Sequence, residues 1–210
     1  MFRLRMGAIA GVVLVGALLS ASPVAAATPY GTNLVKNPGA ENGLHNWDTF
    51  PPGDFQVLPY GPAGFGQPSK ASSKKIGGGA HFFSAGAYDM AYGTCPDANQ
   101  QFTLTGIGSA IDTGHVAVRL QGYMGTNGAA GINAHLDLYF RNSQNHGVAS
   151  NGITKKVSMT NELYKHVDVT KVLPKNTRIL RIHMWSDGYN TINGDCAAFW
   201  DKLSVTLSHV

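Results

Sequence analysis

Asn33-Leu34-Val35-Lys36-Asn37-Pro38-Gly39-Ala40-Glu41, with Gly43-Leu44 and Trp47 just beyond it, stands near one end of the chain, and Phe199-Trp200-Asp201-Lys202-Leu203-Ser204-Val205-Thr206-Leu207 stands at the other. The first stretch sets an apolar pair before a sharp Asn-Pro-Gly turn, then presents one carboxylate and ends on a large aromatic. The second alternates. Side chains of a strand point to opposite faces with period two, so Phe199, Asp201, Leu203, Val205 and Leu207 are expected on one face. Four of the five are apolar, which makes that face a core face and Asp201 a carboxylate within it. A buried charge without a partner is too costly to keep. Glu41 is the candidate to share that partner, with a cation between the two ends.

Outward from these stretches, Met1 to Ala27 reads as a secretory signal peptide. Arg3 and Arg5 form its positive start, Gly7 to Leu19 its apolar run, and Ala25-Ala26-Ala27 its small-residue cleavage region. An uncleaved membrane anchor is the alternative, disfavoured by the length of the run. The mature protein is then Thr28 to Val210, expected as one secreted domain, monomeric and free of the membrane. Removing Arg3 and Arg5 from 16 basic side chains leaves 14 against 12 acidic ones, so the basicity belongs partly to the signal. Nucleic-acid binding asks for a basic stripe. Only Lys74-Lys75 and Lys155-Lys156 hint at one, so no nucleic-acid partner is expected.

Cys95 and Cys196 are the two cysteines. In an oxidising compartment an even count reads as a disulfide. It would close a loop of ~100 residues, worth on the order of 4 to 5 kcal/mol by chain entropy. Two free thiols or a metal pair are the alternatives.

The chain in between is short strands and turns. Asp48-Thr49-Phe50 and Phe55 to Leu58 flank a Pro51-Pro52-Gly53-Asp54 turn and read as a strand pair. Tyr60 to Ala80 reads as a long surface loop. His81 to Ser84 and Gln100 to Leu104 are strands. From His115 to Met124, Val116, Val118, Leu120 and Met124 face inward, and Arg119, Gln121 and Tyr123 face outward. From Ile132 to Phe140, Leu136 and Leu138 face inward, and His135, Asp137 and Tyr139 outward. From Arg178 to Trp185, Leu180 and Ile182 face inward, and Arg181, His183 and Trp185 outward. This is the strict alternation of half-buried strands. Asn151-Gly152 reads as a turn before Lys156 to Thr160. The helix candidates are Gly108 to Ile111 and Asn161 to Tyr164. Many short strands without a long helical period argue an all-β sandwich of two antiparallel sheets.

If those three alternating strands are neighbours, Arg119, Gln121, Tyr123, His135, Asp137, Tyr139, Arg181, His183 and Trp185 form one polar face studded with rings. Sugars need that combination, a flat apolar surface to stack on beside polar groups for their hydroxyls. The alternative is an ordinary solvated face. No HExxH pair and no Gly-x-Ser-x-Gly elbow is present. The acids Asp187 and Asp195 sit in turns, where sequence cannot place them as a catalytic pair.

The opening Asn33-Leu-Val-Lys-Asn-Pro-Gly-Ala-Glu41 and the closing Phe199-Trp-Asp201-Lys-Leu-Ser-Val-Thr-Leu207 resemble the galactose-binding-domain-like jelly rolls of secreted bacterial proteins. Among these are carbohydrate-binding modules of the family 4, 16 and 22 type. Ala110-Ile-Asp112-Thr-Gly114 and Leu173-Pro174-Lys-Asn-Thr177-Arg178 fit the same pattern. The resemblance implies a jelly roll over Asn33 to Leu207, and a structural calcium held in part by Glu41 and Asp201. It implies a polysaccharide or cell-surface glycan as partner. One fold hosts many functions, so a secreted structural protein without a sugar site and a small polysaccharide hydrolase or lyase stand as alternatives.

Overall fold

The computed structural model describes residues 30–61, 67–158, 160, 165–189, 194 and 196–210, with the side chains of 149–151 left aside. The expected signal peptide, the short helix at 161–164 and Asp195 lie outside the described residues.

Ten strands form two five-stranded sheets, and every strand pair is antiparallel. In chain order they are β1 (Asp48–Phe50), β2 (Gln56–Pro59), β3 (His81–Ser84), β4 (Asp97–Thr103), β5 (Val116–Thr126), β6 (Asn133–Arg141), β7 (Gly147–Ser158), β8 (Lys165–Val172), β9 (Ile179–Asp187) and β10 (Ala198–His209). The front sheet runs β1-β4-β9-β6-β7 and the back sheet β2-β3-β10-β5-β8. Of two short helices, α1 (Lys70–Ile76) lies between β2 and β3 of the back sheet, and α2 (Gly108–Asp112) lies in the crossing from β4 to β5. The result is the expected all-β jelly-roll sandwich.

The inward parities hold. Val118, Leu120, Leu136, Leu138, Leu180 and Ile182 are fully buried between the sheets. Trp200 lies with them. Its indole Nε1, on the back sheet, donates to the His135 carbonyl on the front sheet at 2.9 Å. Cys95 and Cys196 are bridged, joining the chain just before β4 to the chain just before β10.

Four local expectations are corrected. β1 and β2 are not a pair, because each joins a different sheet. The Pro51–Asp54 turn therefore carries the chain across the sandwich. Tyr60 to Ala80 is not only loop. Ser69 caps α1 by accepting from the Ser72 amide at 3.2 Å, and Gly77 ends the helix with φ 63°. The sequence shows this stop as Gly77 just past Lys74-Lys75-Ile76. Asn151-Gly152 is not a turn, and β7 runs straight through it. Gly152 has φ 142° where β6 and β7 slip register, and a Cβ there would collide with the Leu138 carbonyl. That is a bulge glycine rather than a turn glycine.

The fourth correction concerns the closing strand. A bulge lies between Asp201 and Ser204, and Lys202 takes φ 50°. One extra residue reverses the parity of everything before it. Trp200 therefore faces the main core with Leu203, Val205 and Leu207. Phe199 belongs instead to a smaller cluster with Tyr60, Ile76, Phe82, Ile132 and Ala197. Asp201 is buried, as expected, but beneath the segment around Tyr60 and not on the main core face.

The opening motif docks onto this bulge. Asn33 donates from Nδ2 to the Leu203 carbonyl and accepts the Val205 amide, both at 3.0 Å. The Pro38 carbonyl accepts the Leu203 amide at 2.9 Å. Asn37 closes the turn by accepting from the Asn42 amide and donating to the Gly43 carbonyl. Gly122, opposite the bulge, leaves the space Leu203 fills, since a Cβ there would lie 2.8 Å from Leu203 Cδ2. The two ends of the chain meet as expected.

Candidate functional site

The outer face of the front sheet collects the polar rings. β6 and β9 are hydrogen-bonded neighbours in a register that sets His135 opposite Trp185, Asp137 opposite His183 and Tyr139 opposite Arg181. Six of the nine residues expected on one face are thus together. The other three are not. Arg119, Gln121 and Tyr123 lie on β5, outward on the back sheet, with the whole sandwich between them and the rest. There Arg119 grips Asp168 with two hydrogen bonds of 2.7 and 2.5 Å, Gln121 reaches the same carboxylate, and Tyr123 stacks on His166. The sequence shows that each strand is two-faced but not which strands share a sheet. That is decided by pairing between distant segments.

On the front face the rings are ordered. His135 and Trp185 stack with centroids 3.8 Å apart and planes within 16°. His183 lies nearly parallel to Trp185 at 6.4 Å, and Tyr139 lies 6.0 Å from His183. Asp137 sits at the centre, buried to 2% exposure. Its Oδ2 accepts from the Trp185 indole at 2.7 Å and from the Tyr139 hydroxyl at 2.8 Å. Burial, together with that bond to Asp137, pushes the Tyr139 phenol up to about 12. Tyr139 is therefore a neutral donor at any ordinary pH.

Two acids absent from the sequence-based set complete the face. Asp187 Oδ2 lies 2.9 Å from His135 Nε2, and Asp97 Oδ1 lies 3.2 Å from His183 Nε2. Asp187 continues the outward alternation of β9, two residues past Trp185, so extending the strand through the apparent turn finds it. Asp97 comes from β4, and only the register brings it here. Arg141 continues β6 in the same way, and Asn99 and Gln101 stand opposite His183 and Arg181.

Buried polar atoms are normally hydrogen-bonded, and exceptions call for an explanation. Among the described residues all the exceptions but the Tyr30 hydroxyl gather on this face. Asp137 Oδ1, His135 Nδ1, Arg141 Nε and Arg181 Nε are buried without a protein hydrogen-bond partner.

The second expected site is the chain junction. Glu41 and Asp201 line one cavity of about 520 Å³ with Asn37, Gly77, Gly79 and Lys202. Asp201 Oδ2 accepts from Tyr60 at 2.7 Å, and Oδ1 from the Lys202 amide at 2.6 Å. Glu41 Oε1 accepts the His81 amide at 2.9 Å. The carboxylates lie against bare backbone. A Cβ on Gly78 would sit 2.5 Å from Asp201 Oδ2, and one on Gly79 would collide with Glu41 Oε1. Burial first, and then the Glu41 charge, push the Asp201 carboxyl up to about 6, against the two bonds that favour its ionised form. Two acids in Coulombic reach, set against bare backbone, suit a hard cation, although His81 Nδ1 lies 3.5 Å from Glu41 Oε2. Lys202 gives its ammonium to the Gly77 carbonyl at 2.9 Å, within the lining of the same cavity. Among the described residues no group of three or more His, Cys, Asp or Glu side chains converges as a metal site. Backbone carbonyls would have to complete any shell.

The fold is a jelly-roll β-sandwich similar to that of carbohydrate-binding modules. No family model and no curated protein matches the sequence. Among solved structures, the chain is similar to a family 61 carbohydrate-binding module in complex with β-1,4-galactotriose. Identity is 16% over 84% of this chain and 99% of that one, with a TM-score of 0.50. It is also similar to the N-terminal tandem of family 22 carbohydrate-binding modules from Paenibacillus barcinonensis Xyn10C, at 12% identity, 89% and 48% coverage and a TM-score of 0.50. A third similar structure is the enzymatically active domain of the bacteriophage CBA120 tailspike protein 4, at 14% identity, 84% and 21% coverage and a TM-score of 0.52. At these identities the likeness is one of fold.

Proposed function

We propose that this protein is a secreted, non-catalytic carbohydrate-binding protein that takes a glycan across the outer face of the front sheet. The observation that carries this is the meeting of a stacked Trp185–His135 ring pair with buried polar atoms of Asp137, His135, Arg141 and Arg181 that have no partner among the described residues, on the same face. Rings give a sugar a surface to lie on, and fixed polar groups select its hydroxyls. A module of the same fold taking β-1,4-galactotriose supports the reading at the level of architecture. The non-catalytic part is supported by the state of the acids and the phenol. Asp97 and Asp187 face histidines, Asp137 holds Trp185 and Tyr139, and Tyr139 keeps its proton. Secretion is supported by the Cys95–Cys196 bridge. The direct test is binding of Thr28 to Val210 to a polysaccharide array. Retention on at least one glycan, competed by its soluble oligosaccharide, is expected. Silence across neutral and acidic glycans would favour a structural protein with no sugar site.

A structural calcium held by Glu41 and Asp201 is part of the proposal. It would neutralise both acids and tie the chain ends, stabilising the native state by binding it and not the unfolded chain. The prediction has a definite sign in pH. With chelator present, Asp201 goes from an ordinary 3.8 unfolded to about 6 folded. The native state then holds its proton more tightly, so protonation stabilises the fold below pH 4 and this contribution is lost as pH rises through about 6. It amounts to about 3 kcal/mol at most. Chelated protein should melt several degrees higher at pH 5 than at pH 7.5. Millimolar calcium should raise the pH 7.5 melt and remove that difference, and Asp201→Asn should be insensitive to both. A wild-type melt indifferent to calcium and chelator at pH 7.5 would remove the ion from the proposal.

A further inference from the structure

The front face is not uniform along its length, and its far end is cationic. From one end of the β6–β9 pair to the other it runs from His135 and Trp185, past Asp137 and His183, to Tyr139 and Arg181, and then to Arg141. The acids of this face, Asp97, Asp137, Asp187 and, opposite Asn99 on β1, Asp48, stand on the near side of Tyr139, where Lys156 of β7 also stands opposite His135. Two of them face histidines, and Asp137 accepts two hydrogen bonds. From Tyr139 onward the charged groups of β6 and β9 on this face are Arg181, opposite Tyr139, and Arg141, two residues further along.

Four arginines follow the signal region: Arg119, Arg141, Arg178 and Arg181. Two have carboxylate partners in bidentate geometry. Arg119 holds Asp168, and Arg178 holds Asp112, whose carboxyl is drawn down to about 2 by that bond. The other two have none among the described residues. Arg181 donates no side-chain hydrogen bond there at all, and its Nε is buried. Arg141 lays its guanidinium 5.9 Å from the Tyr139 ring centre and gives Nη1 to the Asn145 carbonyl, and its Nε too is buried and unpartnered. The two flank Tyr139, one directly across the strand pair and one two residues along it. At those positions Cβ atoms lie about 5 to 8 Å apart. A guanidinium is always charged and presents a planar fork that matches a carboxylate. Gln101 stands opposite Arg181 on β4 and adds an amide at the same place. A shallow hollow of about 190 Å³ opens between Tyr139, Phe140, Arg141 and Gly147.

Resting on the carbohydrate-binding reading, we infer that the glycan is acidic: Arg181 and Arg141 take the carboxylate of a uronic acid residue whose neighbours lie along the Trp185–His135 rings. A neutral sugar would leave two arginines on this face without counter-charge. A uronate at the arginine end meets both, with Tyr139 between it and Asp137.

The test compares oligogalacturonate, oligoglucuronate and oligomannuronate with their carboxyl-reduced, neutral counterparts by titration calorimetry. At least one acidic oligosaccharide should bind about tenfold or more tighter than its reduced form at low salt. That ratio should fall as salt is raised. It should collapse toward one in Arg181→Gln and in Arg141→Gln, and survive in Arg119→Gln on the back sheet. Should Arg181→Gln fail to fold, the ratio in wild type and in Arg141→Gln still decides. If neutral forms bind as well as acidic ones, the inference is wrong and the carbohydrate reading stands. An acid preference unmoved by either front-face variant overturns the arginine assignment. If neither form of any of them binds and the polysaccharide array is also silent, both fall together.

Discussion

Trp200→Ala is expected to destabilise the protein by about 3 to 5 kcal/mol, the range for truncating a fully buried large aromatic. Trp200 is 0% exposed and stacks on Phe55 at 5.8 Å. It is also a bridge. It stands on β10 in the back sheet and bonds the backbone of β6 in the front sheet. Alanine would open a cavity between the layers and leave the His135 carbonyl without that donor. For a chain of this size each kcal/mol shifts melting by about 2 to 4 °C, so a drop of roughly 6 to 20 °C is expected by circular dichroism. Trp200→Phe keeps most of the packing and should lose clearly less. Because His135 carries one ring of the candidate site, Trp200→Phe should also loosen glycan binding modestly. A change below about 1 kcal/mol for Trp200→Ala would mean that the bulge register on β10 is wrong and that Trp200 does not face the core.

Trp185→Ala is expected to weaken glycan binding by ~30-fold or more. Removing one stacking ring costs about 2 kcal/mol from apolar contact and ring geometry together, and each 1.4 kcal/mol is tenfold in affinity. The same change deprives Asp137 of its indole donor. Trp185→Phe separates the two effects, since it keeps a ring and loses the donor, and an intermediate affinity is expected. Tyr123→Ala is the control. Tyr123 lies on the other sheet against His166, and its loss should leave affinity unchanged. If Tyr123→Ala abolishes binding and Trp185→Ala does not, the glycan lies on the back sheet and the proposed face is wrong.

The inward and outward parities of β5, β6 and β9 follow from the chain alone, because alternation with period two is a local property. The cysteine pair is legible for a different reason: two cysteines allow one bridge, and the structure has it. The opening motif likewise carries its own geometry in the short side chains of Asn33 and Asn37 and in Pro38 and Gly39. Other features are not local. Five charged or polar positions among eight made β8 hard to read, since an edge strand needs only Val167 and Val169 inward. Lys202 at φ 50° and the extra residue at the β10 bulge turned Phe199 and Asp201 to the opposite face, and no pattern in nine residues announces a bulge.

By itself, then, the sequence determined an all-β sandwich whose ends meet, the face on which each central side chain stands, and the ring-bearing residues of the candidate site. The tertiary structure alone decided which faces are shared. It put β6 beside β9 and sent β5 to the other layer, so Arg119, Gln121 and Tyr123 left the site. It brought Asp97 from β4 to His183, and among the described residues it left Arg141 and Arg181 without acids while Arg119 and Arg178 found theirs. The physical reason is one of range. Alternation and turns act between residues near in sequence, whereas sheet order and charge pairing are settled by contacts between distant segments, which exist only once the two sheets have closed on their common core.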